Sequence, residues 1–440
     1  MSKTALAWTL VYVTGVTLSF KDPVFGFLTY IFEYYQHPPL RWWGKELPNL
    51  RWSLITSIVF LIAYMKKGDR PFLKNTLKFH QTKCLLGLLI VATIATPFAV
   101  SKDLSAGNVV DLAKLTVLNF LIAGTVRSRD HFRWVVIVMI FGSFLWGLDA
   151  YLKPTRIAGR LYSVGGPDSY TDNAGASHLI TILPFLGVYF VTQRHWIKGL
   201  CIVAAPFILN TIVLCNSRGA ILGVGMALIA GLIFSKGKYR FLVAGLAVLA
   251  GVLSFRLIDR NFMERQITTI DYQEEGSAMG RIQTWKGALK LIRDHPLGAG
   301  GGGFETLSPV YIPEIVEAHE GQTRSVHSTY LLVATDWGIP GFICFMGFIS
   351  FTVIELHKIR KKTTNKGIYL DAMALEMSLV GFLTAAVFIN RLYAEILYWL
   401  VALTISLENI RKREEEGIAS SITEREIIPK EPRQASEEAR

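Results

Sequence analysis

The run Arg324-Ser-Val-His327-Ser-Thr-Tyr330 sets a guanidinium and an imidazole three residues apart at the start of a hydrophobic stretch. An imidazole exchanges a proton near neutral pH, and a guanidinium offers an oxyanion a planar fork of permanently charged donors. Ionisable groups at the edge of a bilayer are costly to hold without a partner, so their default reading is functional, with an anionic ligand. Two more arginines stand where the same chemistry is possible. Arg218, in the polar turn Asn216-Ser217-Arg218-Gly219, opens an apolar segment, where helix N–H groups and a guanidinium together suit an anion. The alternative is an arginine that snorkels to lipid headgroups. Arg281 begins a basic amphipathic segment, where a solvated surface arginine is the alternative. Asp336 either joins the site or caps the helix beyond the Gly338-Ile-Pro340 break.

The surrounding elements read as membrane spans. The chain is 51% hydrophobic and 18% charged, with a mean hydropathy of +0.36, and its many apolar runs exceed what one soluble core absorbs. Apolar segments near 4–20, 23–36, 51–65, 84–100, 107–126, 134–150, 175–193, 199–215, 219–235, 240–257, 340–356, 371–390 and 394–409 predict an all-α polytopic membrane protein with twelve or thirteen transmembrane helices. The net charge of +12 gathers in alternate short connections, around Lys66–Lys83, Arg127–Arg133, Arg194–Lys198, Lys236–Arg240 and Lys358–Lys366. That alternation is the mark of cytoplasmic loops, so the basicity is topological and implies membrane lipids rather than nucleic acid as a partner. The long polar segment 258–326 is then extracytoplasmic. The organisation expected is amino-terminal helices over 1–150, a helical core over 151–257, the polar loop and a half-helix over 258–339, carboxyl-terminal helices over 340–410 and a disordered cytoplasmic tail over 411–440.

Within the loop, Ile282, Trp285, Leu289 and Ile292 recur at helical spacing and predict an amphipathic helix lying on the membrane or on the bundle. Gly298-Ala-Gly-Gly-Gly-Gly303 lacks the Lys-Ser/Thr of a phosphate-cradling loop and predicts a tight turn approached by another element or a ligand. Residues 327–337 then read as a half-helix, a form tolerated in membranes where it lines a cavity. The four cysteines lie in apolar runs without CxxC or Cys-His spacing, so no metal site is implied. Asp-x-Asp, His-Glu-x-x-His, Gly-x-Ser-x-Gly and Walker patterns are all missing. A reaction outside the cytoplasm without nucleotide, metal or cofactor needs an already activated donor.

The Ser217-Arg218-Gly219 turn, Gly280-Arg281 before Trp285, His295-Pro296-Leu297-Gly298-x-Gly300, and Val326-His327-Ser-Thr-Tyr330 ahead of Asp336-Trp-Gly338-Ile-x-Gly341 together resemble the O-antigen ligase and Wzy-type polymerase superfamily over most of 175–356. Gly165-Gly166-Pro167-Asp-Ser-Tyr-Thr-Asp172-Asn173 is similar to the exosortase-associated O-glycosylation ligases, which adds Asp172 and Asn173 as supporting candidates beside Arg324 and Asp336. The resemblance implies a GT-C-type, metal-independent, inverting glycosyltransferase of the bacterial inner membrane. Its site would face the periplasm and move a glycan from undecaprenyl diphosphate to lipid A–core, another lipid or a protein acceptor. It further implies that Arg218 and Arg281 engage the diphosphate and that His327 activates the acceptor hydroxyl. Ser328 and Asp336 depart from the usual His-Asn and half-helix glutamate. A chain polymerase or a protein O-oligosaccharyltransferase shares this chemistry. A transporter of lipid-linked glycans is the non-enzymatic alternative, with Asp111 and Lys114 inside a span as its main support.

Overall fold

A computed structural model describes residues 1–67, 74–157, 160–162, 165–257 and 275–427. Residues 258–274 of the expected polar loop and 428–440 of the expected tail lie outside the described residues. Helices α1 (Lys3–Ser19), α2 (Pro23–Tyr35), α3 (Trp52–Lys67), α4 (His80–Ala95), α5 (Lys102–Thr125) and α6 (Arg129–Leu152) lead to a short antiparallel hairpin, β1 (Thr155–Ile157) with β2 (Arg160–Tyr162). Next come α7 (Asp172–Ile180), α8 (Leu183–Thr192), α9 (His195–Leu214), α10 (Arg218–Phe234) and α11 (Lys238–Leu257). The polar segment supplies α12 (Glu275–Asp294), α13 (Gly303–Tyr311) and α14 (Pro313–Glu317). It is followed by α15 (Thr329–Lys362), α16 (Lys366–Ala385) and α17 (Glu395–Ile427), which runs on into the segment expected to be tail.

The protein is an all-α, multi-pass membrane protein, with the hairpin as a small addition. Large apolar side chains such as Leu10, Ile94, Ile202, Ile233 and Phe241 point outward from the helices, the reverse of a soluble fold and what hydrocarbon surroundings allow. Seven candidate spans are found among the described residues, with α7 and α8 counted as one, against the twelve or thirteen expected. The difference has a physical cause. Helices α1, α2, α3 and α10 have 17, 13, 16 and 17 residues, short of the roughly 20 that cross a hydrocarbon layer unaided. The apolar part of α17 carries Glu395, Glu408 and Arg411.

Small residues let the central helices close up. A Cβ on Gly223 of α10 would lie 2.6 Å from the Gly381 carbonyl oxygen of α16, and these two helices form one of the main contacts of the bundle. The basic connections meet at one end: Arg129, Gln193, Lys238 and Lys366 line one opening. Asp111 and Lys114 pair at 2.9 Å on the exposed side of α5, which accounts for them as a surface ion pair and removes the support they lent to a transport pathway.

The break in α15 falls at Gly338, with φ 66° and ψ −170°. The glycine turn fills it. Ala299 and Gly300 donate N–H bonds of 2.9 Å to the Thr335 and Asp336 carbonyls, and Ile339 N–H donates to the Pro296 carbonyl at 2.9 Å. Backbone groups freed by the break are therefore satisfied by protein, as the membrane interior requires. The approach admits no side chain: a Cβ on Gly338 would lie 2.3 Å from the Leu297 carbonyl carbon, and one on Gly298 2.4 Å from the Asp336 oxygen. Gly338→Ala should then cost at least the ~1–3 kcal/mol of a strained backbone residue. Thermal unfolding in detergent should show a clear drop in midpoint, and an unchanged midpoint would mean the junction is looser than drawn.

Candidate functional site

At the end of the bundle away from the basic loops, four segments bring their polar residues together. The first is the turn between α9 and α10. Asn216 adopts a left-handed φ of 47°, Ser217 caps α10 by accepting the Ala220 N–H at 3.3 Å, and Arg218 follows as the first helical residue, exposed. The second is α12, which presents a half-buried Arg281. The third is the hairpin with the start of α7, where Arg160 and Asp172 form an ion pair of 3.3 Å. Asn173 follows Asp172 in that first turn, half-buried. The fourth is the extended strap before α15, carrying Arg324 and His327.

These groups feel one another. Arg281 is held below the ordinary guanidinium value, first by burial and then by repulsion from Arg160 and Arg218, with Asp172 opposing. His327 is held below the ordinary imidazole value, first by the protein crowding it and then by Arg281 and Arg324. The residue is nevertheless exposed at the surface. Among the described residues, Arg160, Arg218, Arg281 and Arg324 gather around the carboxylate of Asp172, with the His327 imidazole beside Arg281 and Arg324. Among the described residues, no cluster of three or more His, Cys, Asp or Glu side chains could hold a metal ion.

His327 has a φ of 52°, unusual for a residue with a Cβ and sustained only where the surroundings over-determine it. They do so here through the loop after α16. Asn390 Oδ1 accepts the Ser328 N–H at 2.9 Å, and the Thr329 N–H donates to the Ala386 carbonyl at 2.9 Å. The Thr329 hydroxyl donates to the Ile389 carbonyl at 2.7 Å while accepting the Arg391 N–H at 2.8 Å. Phe388 of the same loop packs on Trp285 of α12 at 6.1 Å and lies against Gly219 beside Arg218. One loop thus braces the histidine strap, α10 and α12.

Arg391, 3% exposed, turns inward to Asp168 and donates to its backbone carbonyl and to the Ser169 hydroxyl, the latter at 3.0 Å. Asp168 also accepts from the Tyr34 hydroxyl and, at 2.7 Å, from the Glu395 N–H. Burial pushes its carboxyl up, but Arg391, His178, Ser169 and Tyr34 outweigh this and hold it below the usual carboxylate range. This pair ties the segment bearing Asp172 to the loop that braces His327. Sequence reasoning missed Arg160, Asp168, Asn390 and Arg391. The signal that could have found Arg160 and Arg391 is a cation in a connection away from the basic loops, where cations are scarce.

One expectation is corrected. Asp336 neither joins this cluster nor caps the helix beyond the break. It is buried and accepts the Gly302 N–H at 3.1 Å, with Gly303 and Phe304 also donating, so it caps α13 after the glycine turn. A carboxylate there satisfies orphan helix donors. On α12 the buried face is Thr284, Gly287, Ala288 and Leu291, whereas Ile282 and Leu289 point outward at 44% and 59% exposure. Gly287 and Ala288 fit beneath Tyr311 and Ile312 because they are small. The larger apolar stripe, beside Lys286 and Lys290, suits a headgroup layer.

No curated protein matches the chain. Among solved structures, a chain of one described as "Structural coordination of polymerization and crosslinking by a peptidoglycan synthase complex" is similar at 15% identity with a TM-score of 0.43, over 76% of this chain and 97% of that one. A likeness this distant carries no argument. The family comparison bears on the site directly, since its match spans residues 202–346 and takes in Arg218, Arg281, Arg324 and His327. The break in α15, the glycine turn, Arg218, Arg281, Arg324 and His327 all fall inside that stretch, while Arg160 and Asp172 lie before it, and residues 202–346 match the O-antigen ligase (Wzy_C) domain family.

Proposed function

We propose that the protein is an O-antigen ligase-like, GT-C-type glycosyltransferase that moves a glycan from undecaprenyl diphosphate to a hydroxyl acceptor such as lipid A–core, on the periplasmic side of the inner membrane. One observation carries this: an imidazole held in a left-handed turn and kept toward its neutral form beside Arg281 and Arg324, with Arg218, Arg160 and Asp172 gathered around Arg281. The arginine cluster suits a polyanion at a membrane surface, and a lipid diphosphate is such a polyanion. Cleaving the sugar–phosphate bond builds negative charge on the leaving diphosphate. Fixed guanidiniums at Arg218, Arg281 and Arg160 therefore stabilise the transition state more than the ground state. His327 takes the acceptor's proton as its oxygen attacks the anomeric carbon, and the bond to the diphosphate breaks with inversion. Asp172 orients Arg160, and Arg324 keeps the imidazole neutral.

The test is a glycan profile of a strain lacking the protein. Polymer should accumulate on the lipid carrier while the acceptor stays bare, and restoring the wild-type chain should reverse both. Single-unit glycan already attached to its acceptor would identify a polymerase instead. No change in either pool would end the glycosyltransferase reading. A companion experiment fixes the side. With the native cysteines removed, a cysteine at exposed Glu317 should react with an impermeant thiol reagent in intact spheroplasts and one at exposed Thr364 should not. The opposite labelling would place the site in the cytoplasm.

A further inference from the structure

At the opposite end of the bundle from His327 the basic loops enclose a second opening, about 480 Å³, whose rim includes Arg129, Gln193, Lys238 and Lys366 and whose floor includes Asp371. Through the shared residues Val188 and Leu242 it continues into an apolar cavity of about 380 Å³ between α8, α9, α10, α11 and α16. Ala205, Pro206 and Ala227 leave that space by being small, and the exposure of Ile202 and Leu249 along its wall shows that it opens sideways, toward lipid. Arg129 contributes the observation that asks for a ligand: its Nε is buried and has no hydrogen-bond partner. Buried donors are nearly always paired, and a charged one is costly to leave alone.

The charged groups that line this opening are Arg129, Lys238, Lys366 and the carboxyl of Asp371; nearby Arg133 is paired with Asp130. The balance is positive, so the head of the ligand is an anion. The adjoining cavity is apolar, so the rest of it is a hydrocarbon chain. The glycan donor is the wrong occupant because its diphosphate would belong at Arg218, the first residue of α10, whereas this rim lies beyond the last residue of that helix. We propose that this is a binding site for an anionic phospholipid of the leaflet on the side of the basic loops. Its phosphate sits among Arg129, Lys238 and Lys366, and one acyl chain fills the cavity between α8 and α10. Basic pockets between membrane helices recognise anionic headgroups in this way. The site is independent of the proposed catalysis.

The test uses the full chain purified and stripped of lipid in a neutral detergent, with phosphatidylglycerol, phosphatidylcholine or glycerol phosphate added and thermal unfolding recorded. Phosphatidylglycerol should raise the midpoint by mass action, and phosphatidylcholine and glycerol phosphate should not. Lys238→Gln with Lys366→Gln should weaken the phosphatidylglycerol response about twenty-five-fold in concentration, taking roughly fivefold per basic side chain near an anionic surface. Ala227→Phe, which fills the cavity, should abolish the response. The lysine pair is exposed and outside the core, so it decides the question if Ala227→Phe does not fold. An equal response to phosphatidylcholine, an equal response to glycerol phosphate, or a lysine variant with the wild-type response would each overturn the assignment.

Discussion

His327→Ala is expected to lower the rate of glycan transfer by about 10²–10⁴, the usual contribution of a positioned general base, while the protein still retains its lipid-linked donor. The geometry supplies a sharper control. Residue 327 has a φ of 52°, a conformation that asparagine enters more readily than most residues with a Cβ. His327→Asn should therefore keep the strap folded against Asn390 and Ile389 yet be as slow as the alanine variant. If His327→Asn transfers at the wild-type rate with saturating donor, the base lies elsewhere and the histidine only shapes the turn.

The pH profile gives a second, signed readout. Because surrounding protein and the charges of Arg281 and Arg324 disfavour the imidazolium, His327 is neutral at pH 7, and activity should fall only when the pH drops below the ordinary imidazole value of about 6.5. Removing a nearby positive charge eases protonation. Arg324→Gln should accordingly move the acid limb to higher pH, and a limb that stays put or moves down would separate Arg324 from the imidazole.

Arg281→Ala and Arg218→Ala should each weaken transfer by about 10–150-fold, the equivalent of the ~1.5–3 kcal/mol of a hydrogen bond to a charged group. The double variant should approach the product unless the two act on one phosphate and couple. Lysine should rescue poorly because it lacks the planar fork. Stability should move the other way. Arg281 is repelled by Arg160 and Arg218, so Arg281→Gln should leave the protein without added donor at least as stable as wild type while abolishing stabilisation by added donor. A variant that is both less stable and fully active would show Arg281 to be a surface residue of α12, with the diphosphate held by other groups.

How much of this was legible in the chain depends on whether the signal was local. Helical class, membrane location, the alternation of basic connections and the half-helix ending at Gly338 all follow from apolar run length, charge placement and Gly-Ile-Pro-Gly, which act within one or two turns of the residues that carry them. The same locality let Arg218, Arg324 and His327 be singled out beside a boundary between an apolar run and a polar one, and Arg281 at the start of a basic amphipathic segment. What the tertiary structure alone decided is which boundaries meet. Arg160 joins the arginine cluster because a hairpin folds back beside α7, and Asp168 with Arg391 secures it across more than two hundred residues of sequence. Asp336 was misassigned because the donors it satisfies belong to α13, which lies far back in the chain and reaches it only through the glycine turn. On α12 the apolar periodicity marked a helix that packs through Trp285 and exposes Ile282 and Leu289, but that it seats on α13 through Gly287 and Ala288 was decided by how closely Tyr311 and Ile312 approach.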